Sequence, residues 1–160
     1  MFRQIGFMEM VQSLPRFLRI LISHKKKLDP AKGVEGDLNN FLELMEPLQL
    51  DGKLACLLAQ LPPGLKLNLN LMENFFSIFP ANFRLAVEFR HVSWLREQTW
   101  RLLEKYKVAY TIVDEPLLPP EVHVTSDIAY IRWHGKGEHP WYNYHYRMEE
   151  LKPWVPRVKE

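Results

Sequence analysis

A chain of 160 residues with a formal net charge of +2 has the length for one domain with its own core, and too little charge to imply nucleic acid or an acidic membrane as a partner. Hydrophobic residues at 47% and charged residues at 25% exclude a disordered chain. The lone cysteine, Cys56 in the apolar run LACLLA, excludes an internal disulfide and reads as a buried, reduced thiol.

No apolar run approaches the ~18 residues that span a bilayer. The opening MFRQIGFMEMVQ interrupts its apolar residues too often for a signal peptide. The expectation is a cytoplasmic, non-membrane protein made of a single domain, residues 1–160.

The elements follow in chain order. FLRILIS at Phe17–Ser23 reads as a first buried strand, and Leu38, Phe41, Leu42 and Met45 then make a helical stripe. ACLLAQL at Ala55–Leu61 is a second strand; Leu71, Phe75 and Phe79 mark the next helix, with Asn70 placed to cap it. RLAVEF at Arg84–Phe89 is a third strand. A third helix follows through Trp100, Leu103 and Tyr106 or Lys107. Ser93 opens that helix with a partial capping box, because SWLRE offers Arg96 where a glutamate would stand. VAYTIV at Val108–Val113 and IAYIRWH at Ile128–His134 complete the strands, and the proline-rich stretch from Asp114 to Asp127 lacks a long helix.

Strands alternating with helices at this pace predict parallel βα units, in a flat doubly wound sheet or in a barrel. Side-chain parity separates the two. Ala86, Glu88 and Arg90 share one face, Tyr110, Ile112 and Asp114 share another, and Tyr130, Arg132 and His134 a third. Charged groups on a buried sheet face are costly unless that face opens to water at its end. Polar residues gathered at the carboxyl ends of successive strands fit the mouth of a βα barrel. Parity also sends Ile131 and Trp133 outward, against the helices.

At that mouth, Gln60, Glu88, Arg90, Asp114, Arg132 and His134 look into one cavity. Arg90 or Arg132 can hold a carboxylate or phosphate through two parallel hydrogen bonds. Glu88 or Asp114 can serve as general base, and His134 can carry a proton near neutral pH. Gly135 and Gly137 can present amide donors to an anion and Lys136 between them adds a point charge, although GKG alone is no nucleotide-binding loop. Each residue has a plainer reading. Glu88 with Arg90, or Asp114 with Arg132, can be an ion pair fixing neighbouring strands; Gln60 can satisfy a loop, Asp114 can cap a turn, and His91 and Ser93 fit a helix entry. The lysines after His24 read as a solvated surface.

His24, Glu88, Asp114 and His134 suit zinc or manganese chemically. No HxH, HExxH or cysteine pair accompanies them, so no metal is expected, and no cofactor is indicated. Neither Ser23 nor Ser93 has the setting of a catalytic nucleophile. The segment GEHPWYNYHYR places Trp141, Tyr142, Tyr144 and Tyr146 with His139 and His145 as an aromatic rim; Trp141 and Tyr144 are the candidate stacking contacts for a sugar or base.

The motifs LLAQLPPGLKLNLNLMENF, RLAVEFRHVSW, VAYTIVDEP and AYIRWHGKG resemble the YecE-like family, the domain of unknown function seventy-two. ISHKKKL and the closing YHYRMEELKPWV are similar to that family's segments too, so the resemblance runs from Leu14 to Val158. It implies a TIM-type barrel, strand-end motifs around one cavity, and no assigned activity. The family's first two strands and last strand have no counterpart here, and Arg19 is the candidate substitute for a lysine on its third. An incomplete TIM-type βα barrel of about five parallel strands is therefore expected. Its open edges would favour a homo-oligomer.

The residues and the resemblance together suggest a cavity enzyme, a hydrolase or isomerase, acting on a small anionic or carbohydrate-like substrate. A nucleotide or nucleic-acid binding module using Lys136, Arg132 and Arg147 is the alternative, disfavoured by the absence of a basic stripe, and a non-catalytic fragment is the other.

Overall fold

The computed structural model describes residues 17–21, 34–137 and 143–159. Its strands are β1 (Phe17–Leu21), β2 (Cys56–Gln60), β3 (Leu85–Glu88), β4 (Ala109–Asp114) and β5 (Tyr130–Trp133). Each pairs in parallel with the next, so order in the sheet equals order in the chain. Helices α1 (Val34–Leu50), α2 (Leu69–Ile78) and α3 (Glu97–Lys105) supply the first three crossovers. Two short helices, α4 (Met148–Leu151) and α5 (Trp154–Lys159), close the chain. The result is an α/β fold whose parallel sheet curls but stays open, as an incomplete barrel would.

Alternation along the strands divides the apolar residues between two faces. Leu57, Ala59, Leu85, Val87, Phe89, Tyr110 and Ile112 join the large core that holds Met72, Phe75, Phe76, Trp94, Trp100 and Leu103 of the helical layer. The opposite, concave face holds a smaller cluster of Cys56, Leu58, Ala86 and Ala109, with Ile128 and Tyr130 against it. Small residues there suit a sheet that curls inward, where side chains converge and bulky ones do not fit. Cys56 is buried and free, as its apolar surroundings predicted.

Two caps differ from the sequence reading. Asn68 rather than Asn70 caps α2, its Oδ1 accepting from the Leu71 amide at 3.0 Å. Ser93 does not open α3, which begins at Glu97 after Arg96, without a side-chain cap. Ser93 sits instead in a 3-10 turn, Val92–Trp94, where the His91 ring accepts from its amide at 3.1 Å. The cause is Trp94. Its side chain is fully buried, stacks on Phe89 with ring centroids 4.6 Å apart and donates to the Leu65 carbonyl at 2.8 Å. The tight turn carries that indole inward before the helix starts.

No helix bridges β4 and β5; residues 115–129 cross as a loop. Thr125 anchors it, donating to the Val108 carbonyl at 2.7 Å and accepting from the Tyr110 amide at 2.8 Å. Its hydroxyl meets backbone groups that a helix-free crossover would otherwise leave unpaired.

Candidate functional site

Strand register fixes which side chains share the concave face. Gln60 lies beside Glu88, Ala86 beside Ala109, and Val113 beside Arg132. Counting by twos from these pairs, the face carries Gln60, Glu88, Arg90, Thr111, Val113, Tyr130, Arg132 and His134. Tyr110 and Ile112 belong to the other face, within the helix-side core. Asp114 shares their parity and lies beside Trp133. The grouping of Tyr110, Ile112 and Asp114 around the cavity is thus corrected, and Glu115, the next residue, takes the inward place. The physical reason is packing, because the Tyr110 ring is buried against Phe89, Trp100 and His123 on the helix side.

Glu88 is the centre of the site. Its side chain is fully buried, and both of its oxygens are held. Arg132 Nη1 donates to Oε2, while Arg90 Nη1 donates to Oε1 at 3.0 Å. His134 Nε2 stands 3.5 Å from Oε1, buried and without a hydrogen-bond partner among the described residues. Arg132 Nη1 also donates to Gln60 Oε1 at 3.3 Å, so one guanidinium from β5 crosses over β4 to β3 and β2. Burial alone would raise the Glu88 carboxyl. The His134 ring, the Arg132 charge and the Arg90 hydrogen bond outweigh it and hold the group at about 2, against an ordinary 4.5.

Glu115 is the contrasting carboxylate. It too is fully buried, 3.1 Å from the same Arg90 Nη1, yet neither of its oxygens accepts a hydrogen bond among the described residues. Burial pushes its pKa up, against the lowering charge of Arg90. The sequence reading did not select Glu115. The signal was present in VDEP, where two adjacent acids oblige parity to choose one.

The remaining candidates divide. Asp114 Oδ2 pairs with Lys136 Nζ at 3.4 Å, at the rim of the strand end. The turn after β5 uses Gly135 at a φ of 91°, and its amide donates to the Tyr146 hydroxyl at 3.0 Å, which leaves that N–H engaged within the protein. Tyr144 packs edge-on against Tyr146 with centroids 5.0 Å apart and donates to Glu150, and Lys136 lies 5.9 Å from the Tyr146 ring. Trp141, His139, Tyr142 and His24 lie outside the described residues. Trp133 does point away from the cluster and meets Trp154, the first residue of α5, edge-on, but it stays 44% exposed. Among the described residues no group of three or more His, Cys, Asp and Glu side chains is arranged to hold a metal.

A cavity of about 640 Å³ opens at the other end of the sheet, beneath the starts of β3 and β4, with Phe76, Phe79, Phe83 and Tyr106 in its wall. The Arg84–Asp127 pair, 2.7 Å apart, is its main charged feature. Arg84 and Asp127 are largely exposed there, whereas the carboxyl ends bring Glu88, Arg90, Glu115, Arg132 and His134 together in burial, so we place the candidate site at the carboxyl ends.

The fold is thus of the α/β class, an open, curled parallel sheet with buried, opposed charges at the carboxyl ends of its strands. The chain belongs to the DUF72 family, whose model, described as a protein of unknown function, matches residues 16–160. It is similar to a DUF72 family protein of Thermotoga maritima, at 30% identity and a TM-score of 0.82, over 99% of this chain and 68% of that one. Two structures of a DUF72 family protein of Enterococcus faecalis share the fold at 20% and 21% identity, each with a TM-score of 0.76. They are covered over 97% of this chain and 67% and 70% of theirs. Comparison with curated proteins finds no match. No helix among the described residues is long and apolar enough to cross a membrane.

Proposed function

We propose that the carboxyl-end face of this sheet binds a small anionic or carbohydrate-like substrate and acts on it by hydrolysis or isomerisation. One observation carries the reading: Arg132 spends a single nitrogen, Nη1, on both Gln60 and Glu88. Its Nε and Nη2 have no described partner, and the side chain is 23% exposed. Those two nitrogens form the side-on fork that receives a carboxylate or phosphate through parallel hydrogen bonds. A buried ion-pair cluster is a poor device for stability alone, since dehydrating the charges offsets most of their attraction. Its place at the strand ends is where βα barrels hold their active sites.

In this reading Arg132 anchors the substrate, with Arg90, Gln60, Lys136 and Tyr144 as surrounding contacts and Trp141 as a further stacking group. His134 carries the proton. Glu88, held near 2, is too weak a base to take one at neutral pH, so its part is to orient His134 and the arginines. Asp114 keeps a role at the rim through Lys136. We further read the sheet as part of a TIM-type ring, the chain as YecE-like and cytoplasmic, and its open edges as sites for a second copy.

The Tyr144–Tyr146 pair beside Lys136 favours a nucleotide as the second reading, stacked on an aromatic edge with its phosphate on the lysine. Calorimetric titration with glucose 6-phosphate, glucose and adenosine monophosphate separates the two. The first reading expects the sugar phosphate to bind and Arg132→Lys to weaken it about tenfold or more, with thermal unfolding little changed. Equal binding by the wild type and Arg132→Lys would remove the site.

A further inference from the structure

Two fully buried carboxylates lean on one guanidinium nitrogen. Arg90 Nη1 lies 3.0 Å from Glu88 Oε1 and 3.1 Å from Glu115 Oε2. The hydrogen bond goes to Glu88; Glu115 receives charge attraction alone, and both of its oxygens are without a hydrogen-bond donor among the described residues. A buried carboxylate in that condition is held weakly in its ionised form.

The charges around it come from every neighbouring strand. Glu88 and Arg90 face it from the end of β3, Arg132 and His134 from the end of β5, and Tyr110 lies near it on β4. With Glu115 ionised, the arginines and carboxylates of this cluster, among the described residues, are Arg90 and Arg132 against Glu88 and Glu115, two of each sign. An anion seated on the Arg132 fork adds negative charge to a balanced, buried cluster, which is costly. A proton on one carboxylate restores the balance. Glu88 is held by two arginines with His134 beside it, whereas Glu115 has one ion pair to give up among the described residues, that with Arg90.

We propose that this site takes up an oxyanion together with one proton, and that Glu115 is the residue that receives the proton. The proton comes from solvent and forms an O–H bond on Glu115; no other bond forms or breaks. Protonation removes one of the two carboxylate charges that Arg90 faces among the described residues and leaves one surplus positive charge there for the ligand. The raised pKa of Glu115 is in keeping with this assignment. The inference rests on the anion reading above.

The test uses sulfate, which carries no titrating proton between pH 5 and 8, in calorimetry with two buffers of different ionisation enthalpy. Wild type is expected to take up about one proton per sulfate, with affinity falling about tenfold per pH unit once Glu115 is ionised. Glu115→Gln should bind sulfate with no uptake and little pH dependence, while His134→Gln should keep the uptake. Sulfate binding without proton uptake by wild type overturns the inference and leaves the anion site standing. Uptake that persists in Glu115→Gln, or disappears in His134→Gln, gives the proton to another group and also overturns it. If Glu115→Gln does not fold, wild type and His134→Gln decide alone: uptake kept in both supports the assignment, and uptake lost in either overturns it. No sulfate binding by wild type at any of these pH values sinks both the inference and the anion reading.

Discussion

Replacing Glu88 by glutamine removes one negative charge from the most buried point of the site while keeping its shape. The folded carboxyl sits at about 2 and its ordinary value is 4.5, a gap that corresponds to about 3 kcal/mol of preferential stabilisation of the ionised form. The folded value lies below the unfolded one. Its contribution is therefore complete above about pH 4.5 and fades as the pH falls through about 2. Glu115 works in the opposite sense: burial raises its pKa, so ionising it costs stability near neutrality and acid relieves that cost. Comparing wild type with Glu88→Gln at each pH removes most of the Glu115 contribution. Urea unfolding followed by tryptophan fluorescence, from pH 2.5 to 7.5, reads the difference. Glu88→Gln should be less stable by about 3 kcal/mol at pH 7, and the gap should close to under about 1 kcal/mol near pH 2.5. A gap below about 1 kcal/mol at pH 7, or one that stays constant into acid, would show that the arginines do not hold the carboxylate as described.

Three further predictions concern the frame around the site. Thr125→Val keeps the shape but removes the bridge between the Val108 carbonyl and the Tyr110 amide, so it should cost about 1–3 kcal/mol in the same unfolding assay. Burial raises the Cys56 thiol to about 11, so iodoacetamide at pH 8 should label native protein far more slowly than protein in urea; equal rates would mean that the concave face is open to solvent. Trp133→Ala should cost only about 1–2 kcal/mol, less than the ~3–5 of a buried aromatic. The ring is 44% exposed and Trp154 is its one aromatic neighbour among the described residues, and a larger loss would place it in a covered interface.

Much of the fold was legible because β2, β3 and β4 are buried on both faces and read as short apolar runs between helical stripes. That pattern has few parallel solutions. Helix entries were harder. Asn68 and Asn70 both precede an apolar stripe, and Asn68 is the one outside the helix, where its side chain accepts from the Leu71 amide. Ser93 looked like a helix cap because propensity is local, whereas the demand to bury Trp94 is not. Trp133 lies on the side that parity gave it, but parity says nothing about how much protein covers that side.

The site shows the same division more sharply. Alternation correctly grouped Arg132 with His134 and Glu88 with Arg90, since each pair lies on one strand and its continuation. Relating one strand to the next requires register, and register is absent from composition and period. In YTIVDE the aromatic hydroxyl of Tyr110 drew the polar face toward Asp114, yet Tyr110 is buried at 2% exposure among Phe89, Trp100 and His123. The small residues carried the better signal. Ala86 and Ala109 stand side by side on the concave face, and counting by twos from Ala109 reaches Thr111, Val113 and Glu115. In a curled sheet the concave side admits small residues at its centre, so alanine parity identifies the inward acid more reliably than polarity does. On that basis Glu115 rather than Asp114 is the acid to replace first when the chemistry of this face is tested.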